Sequence, residues 1–170
     1  KDAITYFNRG QAFFNLKKNA EALADYTKVI ELDPKYVDAY IKRGLVYFEQ
    51  EKHVEAIADC NKIIELDPTR ALVYGFRGDV HYALKKFPEA LADFNKSIEL
   101  DPKNAGIYSD RGATYLELKK YAEAIVDCTK AIELDPMYAR AYNDRGKAYK
   151  ALGKTKEAEE DFAKAKALEK

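Results

Sequence analysis

Apolar residues along the chain recur at helical spacing in two stretches parted by a short polar break, and this double stretch repeats. Between residues 105 and 138 the apolar side chains fall at Ile107, Tyr108, Tyr115, Leu116 and Leu118, near the helical period of about 3.6 residues. Glu117, Lys119 and Lys120 make the break. A second stretch carries Ala124, Ile125, Cys128, Ala131, Ile132 and Leu134. Asp135-Pro136 ends it, because proline disfavours helical backbone in the residue before it and donates no hydrogen bond. Each unit therefore predicts a helix, a short turn and an antiparallel helix.

The unit recurs every 34 residues. Leu-Asp-Pro closes at Pro34, Pro68, Pro102 and Pro136, and the one other proline, Pro88, sits where a second helix should start. Tyr-x-x-Arg-Gly recurs from Tyr6 to Gly10, Tyr40 to Gly44, Tyr74 to Gly78, Tyr108 to Gly112 and Tyr142 to Gly146. Ala22, Ala56, Ala90, Ala124 and Ala158 keep the same spacing. The 170 residues thus divide into repeats 3–36, 37–70, 71–104, 105–138 and 139–170 of a single domain spanning 1–170. The expected fold is all-α, with ten helices and no strand. A glycine inside a helix costs about 1 kcal/mol against alanine. Five of them imply close approach of the second helix, at the height of the alanine twelve residues on.

These markers resemble the tetratricopeptide repeats over essentially the whole chain. The small residues of that family match Gly10, Ala22 and their equivalents, its aromatic positions match Tyr6, Phe13 and Tyr26, and its terminal proline matches Pro34. The resemblance implies a TPR α-solenoid, a right-handed superhelix of helical hairpins. First helices would line a concave groove, and the function would be binding of protein partners. One departure is constant: the family usually has leucine before the glycine, and this chain has Arg9, Arg43, Arg77, Arg111 and Arg145. An aspartate stands sixteen residues after each, at Asp25, Asp59, Asp93, Asp127 and Asp161. A buried guanidinium needs a partner, so the two series predict an ion pair inside each repeat, Arg77 with Asp93 included.

Charge and composition narrow the function. Lys plus Arg and Asp plus Glu both number 29, so a neutral chain has no general attraction for nucleic acid or for an anionic membrane. No apolar run approaches the roughly 18 residues of a spanning helix, so membrane insertion is not expected. The chain opens KDAITYFNRG, without Met or an apolar leader, and reads as a fragment of a longer protein. Two cysteines make no disulfide framework and point to a reducing, cytoplasmic setting. Cys60 and Cys128 share the repeat position that Tyr26, Phe94 and Phe162 fill elsewhere, and read as core. His81 takes the place of an aromatic residue and His53 falls in a turn, with no spacing that suits a metal. No nucleophile elbow, phosphate loop or other break in the repeats suggests an enzyme or a cofactor.

Function should lie where repeats differ. By the resemblance, groove positions are the second, fifth, ninth and twelfth of each repeat, with the sixth often reaching in. A subclass that holds the C-terminal carboxylate of chaperones needs lysine and asparagine there. Phe7, Gln11, Lys42, Leu72 and Phe76 do not supply that set in the first register, and no other register does. Chaperone-tail capture is therefore disfavoured. The candidate groove residues form a gradient. Ile4, Phe7, Phe14, Ile41, Leu45, Phe48, Leu72, Phe76 and Tyr82 are large and apolar or aromatic. Gly75, Gly106, Ser109 and Ala113 are small, and Arg140, Asn143, Lys147 and Lys150 are polar or cationic. This predicts a groove for a peptide or helix of a partner protein, with a self-associating scaffold or homo-oligomer as the alternative. At the interface positions held by Leu23, Ile57, Leu91, Ile125 and by Ile30, Ile64, Ile98, Ile132, the fifth repeat has Glu159 and Lys166. It reads as the C-terminal cap that a solenoid requires.

Overall fold

The computed structural model describes residues 2–169. Among them there are ten helices and no strand: α1 (Ala3–Asn15), α2 (Asn19–Leu32), α3 (Val37–Glu49), α4 (His53–Leu66), α5 (Ala71–Ala83), α6 (Phe87–Leu100), α7 (Ala105–Glu117), α8 (Tyr121–Leu134), α9 (Ala139–Ala151) and α10 (Thr155–Leu168). The first helices begin at the five residues from which the repeats were counted. The fold is an all-α solenoid of helical hairpins.

The punctuation between helices is chemical. Each second helix except the last ends at the aspartate before proline, whose backbone turns extended, with ψ of 91–95°. The freed carboxylate accepts the backbone N–H two residues on: Lys35 on Asp33 at 3.0 Å, Thr69 on Asp67 at 3.1 Å, Lys103 on Asp101 at 3.1 Å and Met137 on Asp135 at 2.9 Å. Leu-Asp-Pro is thus a stop followed by a side-chain-closed turn. Inside the hairpins the chain reverses through one left-handed residue, at Lys17, Glu51, Lys85 and Lys119 with φ of 57–58° and at Gly153 with φ of 75°. Each second helix then starts on a lysine without a side-chain cap, and Glu21, Glu55, Glu89, Glu123 and Glu157 in the first turns complement the helix dipoles. Pro88 occupies the first turn of α6, as expected. His53 is the first residue of α4 rather than part of a turn, because that helix begins directly after the left-handed residue and Lys52.

The chain divides into two compact units, residues 1–80 and 81–170, with the boundary inside α5. In the first unit α1 packs on α2 and α3 on α4, while α2 also packs against α3. One core gathers Ala22, Tyr26 and Val46 with Phe7, Phe13, Phe14 and Leu23. Another gathers Tyr40, Cys60, Ile63 and Val73 with Ile30, Ile41, Ile64 and Phe76. In the second unit α7 packs on α8 and α9 on α10, with α6 against α7 and α8 against α9. Ala90, Phe94 and Ile107 form its core with Tyr82 and Ile98. In both units a second helix touches the first helix of the next repeat.

The glycines admit the second helix. A Cβ on Gly10 would lie 2.9 Å from the Tyr26 ring and 3.2 Å from Asp25 Cβ. One on Gly112 would lie 2.9 Å from Cys128 Sγ and 3.5 Å from the Ala124 carbonyl, twelve residues on. The expected Arg–Asp pairs are present as two-pronged contacts. Arg9 reaches Asp25 at 2.7 and 2.7 Å, Arg43 reaches Asp59 at 3.0 and 2.6 Å, Arg111 reaches Asp127 at 2.7 and 2.7 Å, and Arg145 reaches Asp161 at 2.8 and 2.8 Å. The Arg77–Asp93 rung falls on the boundary between the two units and stays an expectation.

The arginine does more than the pairing foresaw. Its Nη1 donates back to the previous repeat: Arg43 to Thr27 at 3.2 Å, Arg77 to Asn61 at 2.6 Å, Arg111 to Asn95 at 2.6 Å and Arg145 to Thr129 at 3.1 Å. Each of these partners lies two residues after the aspartate of its own repeat. The guanidinium therefore joins two helices of one repeat and staples that repeat to the one before. It also lies over the tyrosine three residues earlier, at 5.3–5.7 Å. The side chains of Arg43, Arg111 and Arg145 are 17–19% exposed, against 45% for Arg9. In the third repeat His81 Nδ1 lies 3.0 Å from Asp93 Oδ2, which gives the expected core histidine a polar partner.

Candidate functional site

The candidate residues fall in both units. Phe7 and Phe14 belong to the core around Tyr26, and the Phe7 ring lies 5.9 Å from Tyr26 and 5.2 Å from Tyr36. Burial pushes the Tyr26 phenol up to about 12, so it stays neutral. Phe48 and Phe76 meet edge to face at 5.6 Å, and the His53 ring also lies 5.6 Å from Phe48. These phenylalanines are half-buried packing residues as well as candidates for contact.

Ile41, Leu45, Leu72 and Phe76 do come together. With Tyr40, Gly44, Cys60, Ile63 and Val73 they line a cavity of about 200 Å³ among α3, α4 and α5, and the lining is almost wholly apolar. Tyr40, Cys60, Ile63 and Val73 are buried and make its floor, whereas Ile41, Leu45 and Phe76 are half-buried at its rim. Leu72, the second residue of α5, is 69% exposed beside them. A leucine left this open next to an apolar hollow is the kind of surface that binding covers.

The second unit holds a different arrangement. Tyr82, Arg140 and Lys147 line a cavity of about 530 Å³ with Ala113, Leu116, Glu117, Lys119, Tyr121, Asp144 and Ala151. Arg140 and Lys147 already have partners there. Arg140 Nη1 donates to Asp110 Oδ1 at 2.6 Å and its Nε lies 3.6 Å from Asp144 Oδ2. Lys147 Nζ donates to Asp144 Oδ1 at 2.7 Å. Burial pushes the Asp110 carboxyl up, and the Arg140 guanidinium works against that rise. Asn143 is half-buried and Lys150 exposed, and neither lines this cavity. Gly75, Ser109 and Ala113 are buried, so the small middle of the gradient is packed.

Asp110 and Asp144 were not among the candidate groove residues, although both occupy the sixth position of their repeats, 34 apart. The signal was available: Arg140 and Asp144 stand at the i,i+4 spacing that pairs charges on a helix. The longer link, from Arg140 to a residue 30 positions earlier, depends on the packing of α9 against α7. Among the described residues no cluster of three or more His, Cys, Asp or Glu could hold a metal ion, and no helix is long and apolar enough to cross a membrane.

Comparison with known proteins agrees with this geometry. A family profile described as TPR repeat matches residues 10–51, 78–119 and 114–153. Two described as tetratricopeptide repeat match residues 37–70 and 139–170. Among curated proteins none matches the chain. Among solved structures, the MamA protein is 28% identical with a TM-score of 0.88, over 98% of this chain and 91% of that one. YrrB, described as a TPR protein with an unusual peptide-binding site, is 26% identical with a TM-score of 0.78, over 98% of this chain and 86% of that one. MamA from residue 41 onwards, from Desulfovibrio magneticus RS-1, is 22% identical with a TM-score of 0.90, over 98% and 94%, a likeness of fold. Profile and fold agree over most of the sequence, and the chain belongs to the tetratricopeptide repeat family.

Proposed function

We propose that this chain is a non-enzymatic scaffold that holds a peptide or helix of a partner protein against its first helices. The observation that carries the proposal is the apolar hollow ringed by Ile41, Leu45, Leu72 and Phe76, with Leu72 69% exposed at its edge. An apolar side chain of the ligand would seat there, as helix and strand ligands seat anchors in grooves. The likeness to YrrB supports a peptide ligand in particular. Apolar contacts should carry most of the affinity, because Arg140 and Lys147 are already engaged by Asp110 and Asp144. An acidic stretch of ligand would have to displace those carboxylates to reach the cations.

The test is selection from a random peptide library displayed on phage, followed by two single substitutions in the first unit. Leu72→Glu alters a first helix, and Val54→Glu alters a second helix at a side chain 75% exposed. Selected peptides should carry bulky apolar residues, lose binding to the first variant and keep binding to the second. Equal binding to both variants, or equal loss in both, would contradict the proposed surface. Self-association is the second reading, favoured by Ile4 on α1 at 61% exposure and Leu16 just after that helix at 67%. Sedimentation without ligand tests it: a monomer at all concentrations removes it.

A further inference from the structure

The hollow around Cys60 sits where other repeats place a ring. The corresponding residues are Tyr26, Phe94 and Phe162, and the first two are fully buried. In repeats 1 and 5 that ring lies directly over the glycine of the first helix. A Cβ on Gly10 would stand 2.9 Å from Tyr26 Cε1, and one on Gly146 would stand 2.7 Å from Phe162 Cε1. Over Gly44 the nearest atoms to such a Cβ are Asp59 Cβ and Phe76 Cε1, both at 3.6 Å. Repeat 4 also has a cysteine, but there Cys128 Sγ itself comes within 2.9 Å of the same point over Gly112. Repeat 2 is the repeat in which the ring has gone and an open space lined by both Gly44 and Cys60 remains.

That space has the size and chemistry of the missing group. It measures about 200 Å³, and an apolar cavity of ~150 Å³ already admits benzene in another protein. The Tyr40 hydroxyl, on one of the lining residues, is engaged by the Pro34 carbonyl at 3.1 Å. A charged or strongly polar group entering the hollow would lose water without gaining an equivalent partner. The rim is formed by half-buried Ile41, Leu45 and Phe76 together with exposed Leu72, so an entering group reaches it from the first-helix side.

We propose that this hollow is a socket for one unsubstituted aromatic ring, the side chain of a phenylalanine in the partner segment. The partner supplies in trans the ring that Tyr26, Phe94 and Phe162 supply from within the chain. The inference deepens the peptide-binding reading and rests on it for the source of the ring, whereas the socket itself can be tested without any partner.

The probe is benzene, titrated into the whole chain and followed by methyl NMR. Saturable shifts should appear at Ile41, Leu45, Ile63, Leu72 and Val73, with Val126 on α8 unmoved. N-acetylphenylalaninamide should move the same methyls and compete with benzene, and N-acetylserinamide should not. Cys60→Phe should weaken benzene binding by at least about tenfold, because the chain then fills its own socket. Cys60→Leu, which fills the space without a ring, should do the same and stands in if the phenylalanine variant fails to fold. No saturable shift in the native chain, or undiminished binding in a folded Cys60 variant, overturns the socket while leaving groove binding through Leu72 intact. Benzene binding without any response to the phenylalanine amide overturns the partner's side chain as its source.

Discussion

One substitution, made at the same position in two repeats, should change stability in opposite directions. Gly10 and Gly44 are both buried inside first helices, and alanine in either should gain about 1 kcal/mol from helix propensity alone. The surroundings decide the outcome. At Gly44 the added Cβ meets nothing closer than 3.6 Å, an ordinary contact, so Gly44→Ala should stabilise by roughly 1 kcal/mol. At Gly10 the Cβ would lie 2.9 and 3.1 Å from a Tyr26 ring that is fully buried and 3.2 Å from Asp25 Cβ. Overpacking of this kind costs about 1–3 kcal/mol, which outweighs the propensity gain, so Gly10→Ala should be neutral to destabilising by about 2 kcal/mol. Urea unfolding measures both, with hydrogen exchange in α3 and α1 assigning the change to the right hairpin. A Cys60→Phe background gives the stronger test. A ring over Gly44 should turn Gly44→Ala from stabilising to destabilising, a coupling that a double-mutant cycle reads directly. Equal effects at the two glycines, or no reversal in that background, would refute the packing argument.

Further expectations concern the ladder, the cap and the turns. Arg111→Leu leaves Asp127, whose side chain is 4% exposed, without its two-pronged partner, and should destabilise by about 3–5 kcal/mol in urea unfolding. Adding Asp127→Leu should recover much of that loss, and a double variant as unstable as the sum of the singles would deny the pairing. Glu159 and Lys166 are exposed on α10, so Glu159→Leu with Lys166→Ile should make the chain associate with rising concentration in sedimentation; a strictly monomeric variant would show that this face is not a cap. Lys119→Gly relieves a left-handed residue at φ 57° and should raise the unfolding midpoint by about 1 kcal/mol equivalent, as Gly153 illustrates in the fifth hairpin; a fall in midpoint would mean the lysine side chain matters more than its backbone.

The parts of this fold legible in sequence are those that one repeat settles by itself. Helix starts at Ala3, Val37, Ala71, Ala105 and Ala139 follow from the period, and a buried arginine with an aspartate sixteen residues later has one economical geometry. The Thr27, Asn61, Asn95 and Thr129 contacts were harder, because they join neighbouring repeats and the acceptor is threonine in two repeats and asparagine in the other two. The left-handed turn residues were hidden because lysine and glutamate stand where glycine would advertise the conformation. Cys60 and Cys128 are indistinguishable as sequence, and both are buried thiols. Burial pushes Cys128 up to about 12, and the apolar hollow with the groove residues Leu45 and Leu72 in its lining stands at Cys60.

The distribution of charge then says what kind of ligand remains possible. A guanidinium recurs in every repeat, and in four of them it is held by an aspartate of the same hairpin. That series would be a row of cationic sites if it faced a ligand, but its function is spent on joining helices. Two of the cations that vary between repeats, Arg140 and Lys147, are balanced by Asp110 and Asp144 a few ångströms away. Among the groove candidates of the first unit, what stands open is apolar: Leu72, and the space over Gly44. Under the proposed function, recognition would therefore fall on shape and apolar contact. A ligand would be chosen for the side chain it can insert, with the charges around it fixing the register in which it lies.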